Sequence, residues 1–430
     1  MSEWPRSDAE LALVEIARQV LPAASFGNMA SDLVIREGRG GRVWDVSGNE
    51  YVDFLLGSGP MFVGHAHPEV TAAVQDQLAR GTTFFANNES GIRLAAEVVD
   101  AVACADKVRF VSTGSEADLY AMRLARAFRK RDKILKFEGG YHGMSDHSLM
   151  SLAPRRPGNF PQAVPDSPGI PRSVAGYMLI APFNDPDMAA SLIRQYRDEL
   201  GGVIVEPFQR LLPPRPGFLE ALRQVTAECE IPLIFDEVVT GFRFAYGGAQ
   251  EFYGVTPDIC TLGKILGGGF PLAAIAGRDD IMALFDKARV GEDGYLMQIG
   301  TLSGNPVAAA AGLATVAILK RPGAYESVFA TGRTLMDGIG RMLQEAGLPA
   351  QVIGAPPLFD VVFSAGDLSD YRSLQRADAA MAARFNRRLR EAGVLKGESK
   401  IYVSLAHDEA DVGHMLSAVE QAVKAARGQS

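Results

Sequence analysis

Cysteine is scarce in this chain. Cys104, Cys229 and Cys260 are scattered and odd in number. They supply neither a disulfide frame nor a cysteine-rich zinc site, and they fit a reducing compartment, so a cytoplasmic location is expected. Long apolar runs are missing too. No stretch approaches the ~20 residues a membrane-spanning helix needs, and M-S-E-W-P-R-S-D has neither the basic opening nor the apolar centre of a signal peptide. No block of Lys and Arg offsets the net charge of -8, which argues against a nucleic-acid partner. The densest basic patch, Arg126-Ala-Phe-Arg129-Lys130-Arg131, reads instead as a helix end, where cations suit the dipole. His65 and His67 lie close together without a third ligand at helical or turn spacing, so a structural turn is a better reading than a metal site. The chain has no Walker loop, no repeats and no low-complexity tract.

What is present looks like an ordinary soluble globular protein, with 47% hydrophobic and 22% charged residues. Its 430 residues can bury a large core and predict more than one domain. The expected division is an N-terminal helix and small antiparallel sheet over 1–60, packing with the small domain, a large domain over 61–312, and a smaller α+β domain over 313–430. Helical periodicity covers 8–20. Short strands at 33–36, 42–45 and 51–54, with a turn at Ser47-Gly48-Asn49, read as a hairpin unit. From 107 to 277 strand-like runs alternate with helical segments, which implies right-handed crossovers and a mostly parallel sheet. The fold class is therefore α/β, with a small α+β companion domain.

The most informative stretch runs from Ile231 to Phe270. Pro232 to Phe235 reads as a strand buried on both faces, ending in Asp236 and Glu237. Ligands of open α/β sheets sit beyond the carboxyl ends of parallel strands. Lys264 follows a second apolar run, Ile259 to Leu262, and precedes Gly267-Gly268-Gly269, where backbone can crowd a bound group. A strand-end Asp with a Lys in a glycine-rich loop suits one task above others. The Lys holds an aldehyde cofactor as a Schiff base, and the Asp keeps the cofactor's pyridine nitrogen protonated. Taken singly, Asp236 is a helix cap and Lys264 a solvated loop lysine. Their shared context of strand ends and glycines favours the chemical reading.

Lys107 to Val111 reads as a strand running into S-T-G-S-E-A. Thr113 and Glu116 form a capping-box pair, so a helix begins near Ser115 and runs to Arg131. Strand, glycine, hydroxyl residues and helix N-terminus in that order make a phosphate site. The strand Lys133 to Phe137 ends in E-G-G-Y-H-G. Tyr141 there either lies flat on a planar cofactor or fills core space. Leu152 to Arg172 is proline-rich and irregular, which reads as a functional lid or a disordered segment. A further strand, Val203 to Val205, ends in Glu206-Pro207-Phe208-Gln209.

Together these residues resemble the class III (subgroup II) pyridoxal-phosphate-dependent aminotransferases of fold type I, over nearly the whole chain. F-D-E-V-V-T-G-F-R-F-A-Y-G-G, T-L-G-K-I-L-G-G-G-F-P and G-T-L-S-G-N-P-V-A carry the likeness. G-H-A-H-P-E-V, K-F-E-G-G-Y-H-G and P-D-S-P-G-I-P bring it nearest to the glutamate-1-semialdehyde aminomutases. The resemblance implies pyridoxal 5'-phosphate (PLP) as cofactor and assigns roles by position. Lys264 matches the Schiff-base lysine and Asp236 the partner of the pyridine nitrogen. Val238 and Tyr141 match the residues on the two ring faces, with His142 beside Tyr141 in the same cofactor set. Gly114 and Ser115 match the phosphate cradle. Gln209 falls near the cofactor's phenolic oxygen, with Glu206 at the same strand end. Thr301 matches the threonine that reaches the phosphate of the neighbouring subunit, which implies a homodimer with shared active sites.

The substrate side departs from the aminomutases. Residues 23–31 carry no Arg, and 58–60, 153–162 and 396–402 are rewritten. The expectation is ping-pong transfer of an amino group from an amine or non-alpha amino acid to an oxo acid such as pyruvate or 2-oxoglutarate. Arg243, Arg155, Arg156 and Arg210 are candidates for the acceptor's carboxylate. One alternative is an aminomutase or racemase on the same scaffold. Another is a non-catalytic binding or regulatory protein, which the intact Lys264, Asp236 and phosphate cradle disfavour.

Overall fold

The computed structural model describes residues 5–29 and 33–427. Positions 30 and 31 of the substrate-side segment, and the first four residues of the stretch read for a signal peptide, lie outside the described residues. The chain divides into two compact units. One holds the residues up to Pro68, Gly323–Gly366, and the chain from Arg376 on; the other holds Glu69–Pro322 and the short return Asp367–Gln375. The divisions thus fall after Pro68 and Pro322, against the expected 60 and 312.

The larger unit is built on a seven-stranded sheet. Its spatial order is Lys107–Val111, Ala273–Gly277, Ile259–Leu262, Leu233–Glu237, Leu200–Val205, Lys133–Phe137, Met178–Ala181. Ala273–Gly277 runs antiparallel to both neighbours, and every other pairing is parallel. The remaining strands therefore deliver their carboxyl ends to one edge, where ligands of such sheets sit. Every residue of the three central strands from Ile259–Leu262 to Leu200–Val205 is buried, which is why they read as unbroken apolar runs rather than alternating ones. The Ala-rich helix Pro306–Leu319 is also buried on nearly every side. Its Gly312 allows close packing on the turn after Ile259–Leu262: a Cβ there would lie 2.4 Å from the Leu266 carbonyl oxygen.

The smaller unit carries two sheets. Ile35–Arg39, Arg42–Asp45 and Glu50–Asp53 form an antiparallel meander that Val394–Leu395 extends in parallel. Gln351–Ala355, Leu358–Val362 and Ile401–Tyr402 form the second, antiparallel sheet. His65 joins the first sheet by hydrogen bonds of its backbone with Gly40, and its Nε2 lies 2.7 Å from Asp53 Oδ2. In the second, Lys396 Nζ pairs with Asp360 Oδ2 at 2.9 Å, both side chains buried.

Candidate active site

Asp236 and Glu237 close the central strand but do different things, because successive side chains of a strand face opposite ways. Glu237 accepts hydrogen bonds from Thr240 Oγ1, the Ala249 N–H and Gln250 Nε2, so it fixes the start of the helix Gly248–Tyr253. Asp236, 4% exposed, accepts from the Val238 N–H at 3.1 Å and lies 2.8 Å from His142 Nδ1. The next strand pairs in register, Asp236 with Thr261 and Glu237 with Leu262. Lys264 therefore emerges two residues beyond Leu262, beside the Asp236 strand end. Its backbone is left-handed, φ +46°, a conformation uncommon outside glycine and frequent at functional sites.

The helix Gly114–Arg129 begins at the same edge. Its capping box is formed: the Thr113 hydroxyl accepts from the Glu116 N–H, and the Glu116 carboxylate accepts from Ser112 and Thr113 N–H. That leaves the Gly114 and Ser115 N–H groups without an acceptor among the described residues. Glycine is required at 114, since a Cβ would approach Val238 Cγ1 to 2.9 Å. Gly143 closes on Ser115 in the same way, with a Cβ position 2.5 Å from the Ser115 Cα. The turn Tyr141-His142-Gly143 thus sits directly against the helix start. The Tyr141 N–H donates to Glu206 Oε2 at 2.8 Å, and Gln209 Nε2 donates to the Glu138 carbonyl at 2.8 Å. Arg210 lies over the Tyr141 ring, its guanidinium carbon 5.4 Å from the ring centre. Burial pushes the Tyr141 phenol upward, with Arg210 pulling against it.

Three charged or polar groups of this site escape a reading of motifs. Asp118 is buried on the capped helix and accepts from Thr261 Oγ1 at 2.6 Å; the same hydroxyl lies 3.4 Å from Asp236 Oδ1. Burial and the nearby Asp236 carboxylate push the Asp118 carboxyl well above its usual range, against the Thr261 hydrogen bond and Lys264. Lys136, fully buried, donates to the Ser148 carbonyl at 2.8 Å, and burial pushes it down to about 8. The signal for both was a charged residue on an otherwise apolar face.

The structure brings together Gly114, Ser115, Tyr141, His142, Glu206, Gln209, Asp236, Val238 and Lys264. Thr301 lies elsewhere. It lines a cavity of about 380 Å³ with residues 83–88, 298–300 and 303–306, and neither Asp236 nor Lys264 lines it. Of the proposed carboxylate anchors, Arg243 is fully buried, with Nε donating to the Val239 carbonyl at 2.8 Å. Arg155 and Arg156 are exposed on the proline-rich segment. That segment is held in place. The strap Asp367–Gln375 crosses it: Arg372 donates to both Glu138 carboxylate oxygens at 2.6 and 3.0 Å and to the Gly158 carbonyl at 2.7 Å, and Gln375 donates to the Pro154 carbonyl at 2.9 Å. Asp166 accepts from the Leu152 and Ala153 N–H groups.

These residues suit a flat, anionic, nitrogen-containing ligand. Two open N–H groups at a helix start suit a phosphate. Tyr141 and Val238 supply an aromatic and an aliphatic surface. His142 Nε2 and Gln209 Oε1 are buried without partners, which in a native site asks for a ligand or water. An amine and a carboxylate stand at adjoining strand ends. Residues 24–423 match the sequence profile of the class III aminotransferases. The chain belongs to that family. An omega-transaminase from Sphaerobacter thermophilus is 35% identical, with a TM-score of 0.92 and 98% of each chain covered. A β-phenylalanine aminotransferase from Variovorax paradoxus is 28% identical, with a TM-score of 0.86 over 96% of this chain and 93% of that one. A glutamate-1-semialdehyde aminomutase from Pseudomonas aeruginosa PAO1 is 25% identical, with a TM-score of 0.87 over 97% and 94%. The protein is a PLP-dependent aminotransferase of fold type I.

Proposed function

We propose that this aminotransferase moves an amino group from an amine or non-alpha amino acid to an oxo acid, pyruvate or 2-oxoglutarate, releasing a free ketone or aldehyde between the two halves. The observation that carries this reading is the placing of Lys264 and Asp236 at adjoining, in-register strand ends beside the open N–H groups of Gly114 and Ser115. Bound PLP supplies an aldehyde carbon for the amine and a ring that accepts an electron pair. The chain does the rest. Gly114 and Ser115 bind the phosphate, and Tyr141 and Val238 hold the ring plane. Asp236, fixed by His142 and the Val238 N–H, holds a proton on the ring nitrogen. Glu206 fixes the Tyr141 backbone, and Gln209 offers Oε1 to the phenolic side. Lys264 Nζ moves the proton at the substrate carbon.

Two observations favour intermolecular transfer over the aminomutase alternative. The segment 23–31 lacks an Arg. The similar structures named an omega-transaminase and a β-phenylalanine aminotransferase are also more identical to this chain than the aminomutase is. A homodimer belongs to the same proposal. Phe85, Ile299, Ile92 and Phe84 are exposed around the cavity that holds Thr301, an apolar surface of the kind subunit contacts cover.

The test has two arms, with Lys264→Ala as negative control. In the first, a panel of amines is offered with pyruvate or 2-oxoglutarate, and a keto product dependent on the oxo acid is expected. In the second, glutamate-1-semialdehyde is supplied alone. Efficient conversion to 5-aminolevulinate there, without any oxo acid, would overturn the proposal in favour of the aminomutase.

A further inference from the structure

Arg210 sits where a side chain is hard to place. Gln209 and Leu212 exchange backbone hydrogen bonds of 3.0 and 2.8 Å, so Arg210 and Leu211 form the tip of a two-residue turn. Leu211 and Leu212 are buried and anchor that tip. Arg210 takes φ +61°, a left-handed conformation that favours glycine. A long charged side chain in such a position is an outlier with a cost, and outliers of this kind gather at functional sites.

Its surroundings show what the charge faces. The guanidinium lies over Tyr141, the residue whose ring covers the cofactor plane in the proposed function, and no carboxylate among the described residues pairs with it. Several other cations of this unit have partners of their own. Arg372 is on Glu138, Arg215 is on Asp367 at 2.6 Å, Lys136 is on the Ser148 carbonyl, and Arg243 is buried against the Val239 carbonyl. Arg155 and Arg156 are exposed on the proline-rich segment. A guanidinium stacked on an aromatic keeps its N–H edge for a planar acceptor, and a carboxylate fits that edge with two parallel hydrogen bonds.

We propose that Arg210 is the specificity-determining residue that receives the carboxylate of the oxo-acid substrate. The proposal rests on the transaminase reading above and adds to it the group that selects for an acid. It places the acid's carboxylate on the Tyr141 side of the ring, at the tip of the 209–212 turn. It also explains why this turn carries Arg in a backbone conformation that glycine would occupy without strain.

Arg210→Gly tests this cleanly, because glycine relaxes the left-handed position and keeps the turn. Two readouts are compared in wild type, Arg210→Gly and Arg210→Lys. The first is kcat/KM for pyruvate and for pyruvamide, which has the same shape without the charge. The second is the dissociation constant of propionate and of propionamide, read by calorimetry on the resting holoenzyme. Losing a charge-assisted pair predicts a fall of about 10- to 100-fold for pyruvate and propionate in Arg210→Gly. The fall resides in KM, the neutral amides change by less than about threefold, and Lys recovers part of the loss. Equal losses for acid and amide would overturn the proposal, since Arg210 would then act only by supporting Tyr141. Unchanged propionate binding would overturn it as well, by placing the acid site elsewhere. Wild type that binds propionate through Arg210 but transfers no amine to pyruvate would instead count against the transaminase reading alone.

Discussion

Replacing Arg372 by alanine should release the proline-rich segment without unfolding the protein. The magnitude follows from the contacts. Arg372 holds Glu138 with two hydrogen bonds and Gly158 with a third, and its guanidinium carbon lies 4.3 Å from the centre of the Phe160 ring. The Glu138 side chain is 4% exposed and that of Arg372 36%. Stranding a buried carboxylate costs about 3–5 kcal/mol when no water reaches it. The exposure of Arg372 lets water in behind it, so about 2 kcal/mol of local opening energy is the better figure. At about 1.4 kcal/mol per factor of ten, local opening becomes about 30-fold more frequent. Trypsin reads this directly, because Arg155 is exposed and lies within the held segment. Cleavage after Arg155 in Arg372→Ala should be about 30-fold faster than in wild type, at conditions where opening and closing outpace cutting. Circular dichroism should show the two proteins equally folded. Adding Glu138→Gln to the variant removes the stranded charge and should return part of the protection. Cleavage within about twofold of wild type would refute the clasp.

Two further outcomes follow from the carboxylates. Asp236→Asn should leave the fold intact and lower turnover by roughly a thousandfold or more, about 4 kcal/mol of transition-state stabilisation; a change of only a fewfold would move the protonation of the ring nitrogen elsewhere. Burial and Asp236 push the Asp118 carboxyl well above its ordinary value of 3.8, so the folded chain holds that proton more tightly than the unfolded chain. Its contribution to stability therefore falls as pH rises from 3.8 toward the raised value, by about 1.4 kcal/mol per pH unit. Asp118→Asn cannot ionise, so urea titrations should show it gaining on wild type as pH rises above 3.8. Parallel stability profiles for the two would contradict a neutral Asp118.

Much of the site is legible because its parts are local. The capping box of Thr113 and Glu116, the strand-end Asp236 and the glycines around Lys264 each announce themselves within a few residues, and the register of two neighbouring parallel strands then joins them. What is not legible depends on direction or on distance in sequence. Asp118 is two positions past the capping Glu116, and only the helix's rotation shows that it faces Thr261 rather than water. Arg243 stands within the most specific motif of the chain and looks like a surface cation, yet its side chain is fully buried. Arg210 looks like a surface arginine until its left-handed backbone and its place over Tyr141 are seen.

The proline-rich segment shows why composition fails where long-range partners decide. Its residues favour neither helix nor sheet, so the chain alone reads as a lid or as disordered. Part of its order is internal, through Asp166, and part comes from donors that the segment does not own. The Pro154 and Gly158 carbonyls are met by Gln375 and Arg372, more than 200 residues later in the chain. Those two residues lie in a nine-residue strap, 367–375, whose flanks on both sides belong to the other unit. Irregular backbone of this kind can be fixed only by such pairings, since it has no ladder of its own to satisfy its polar groups. The same strap holds Glu138, whose carbonyl receives Gln209. Arg372 therefore bears on the cofactor side and on the segment through a single guanidinium. A transaminase has to release one product and admit a second substrate. If 153–162 moves in that step, the Arg372 and Gln375 contacts are among those that must break.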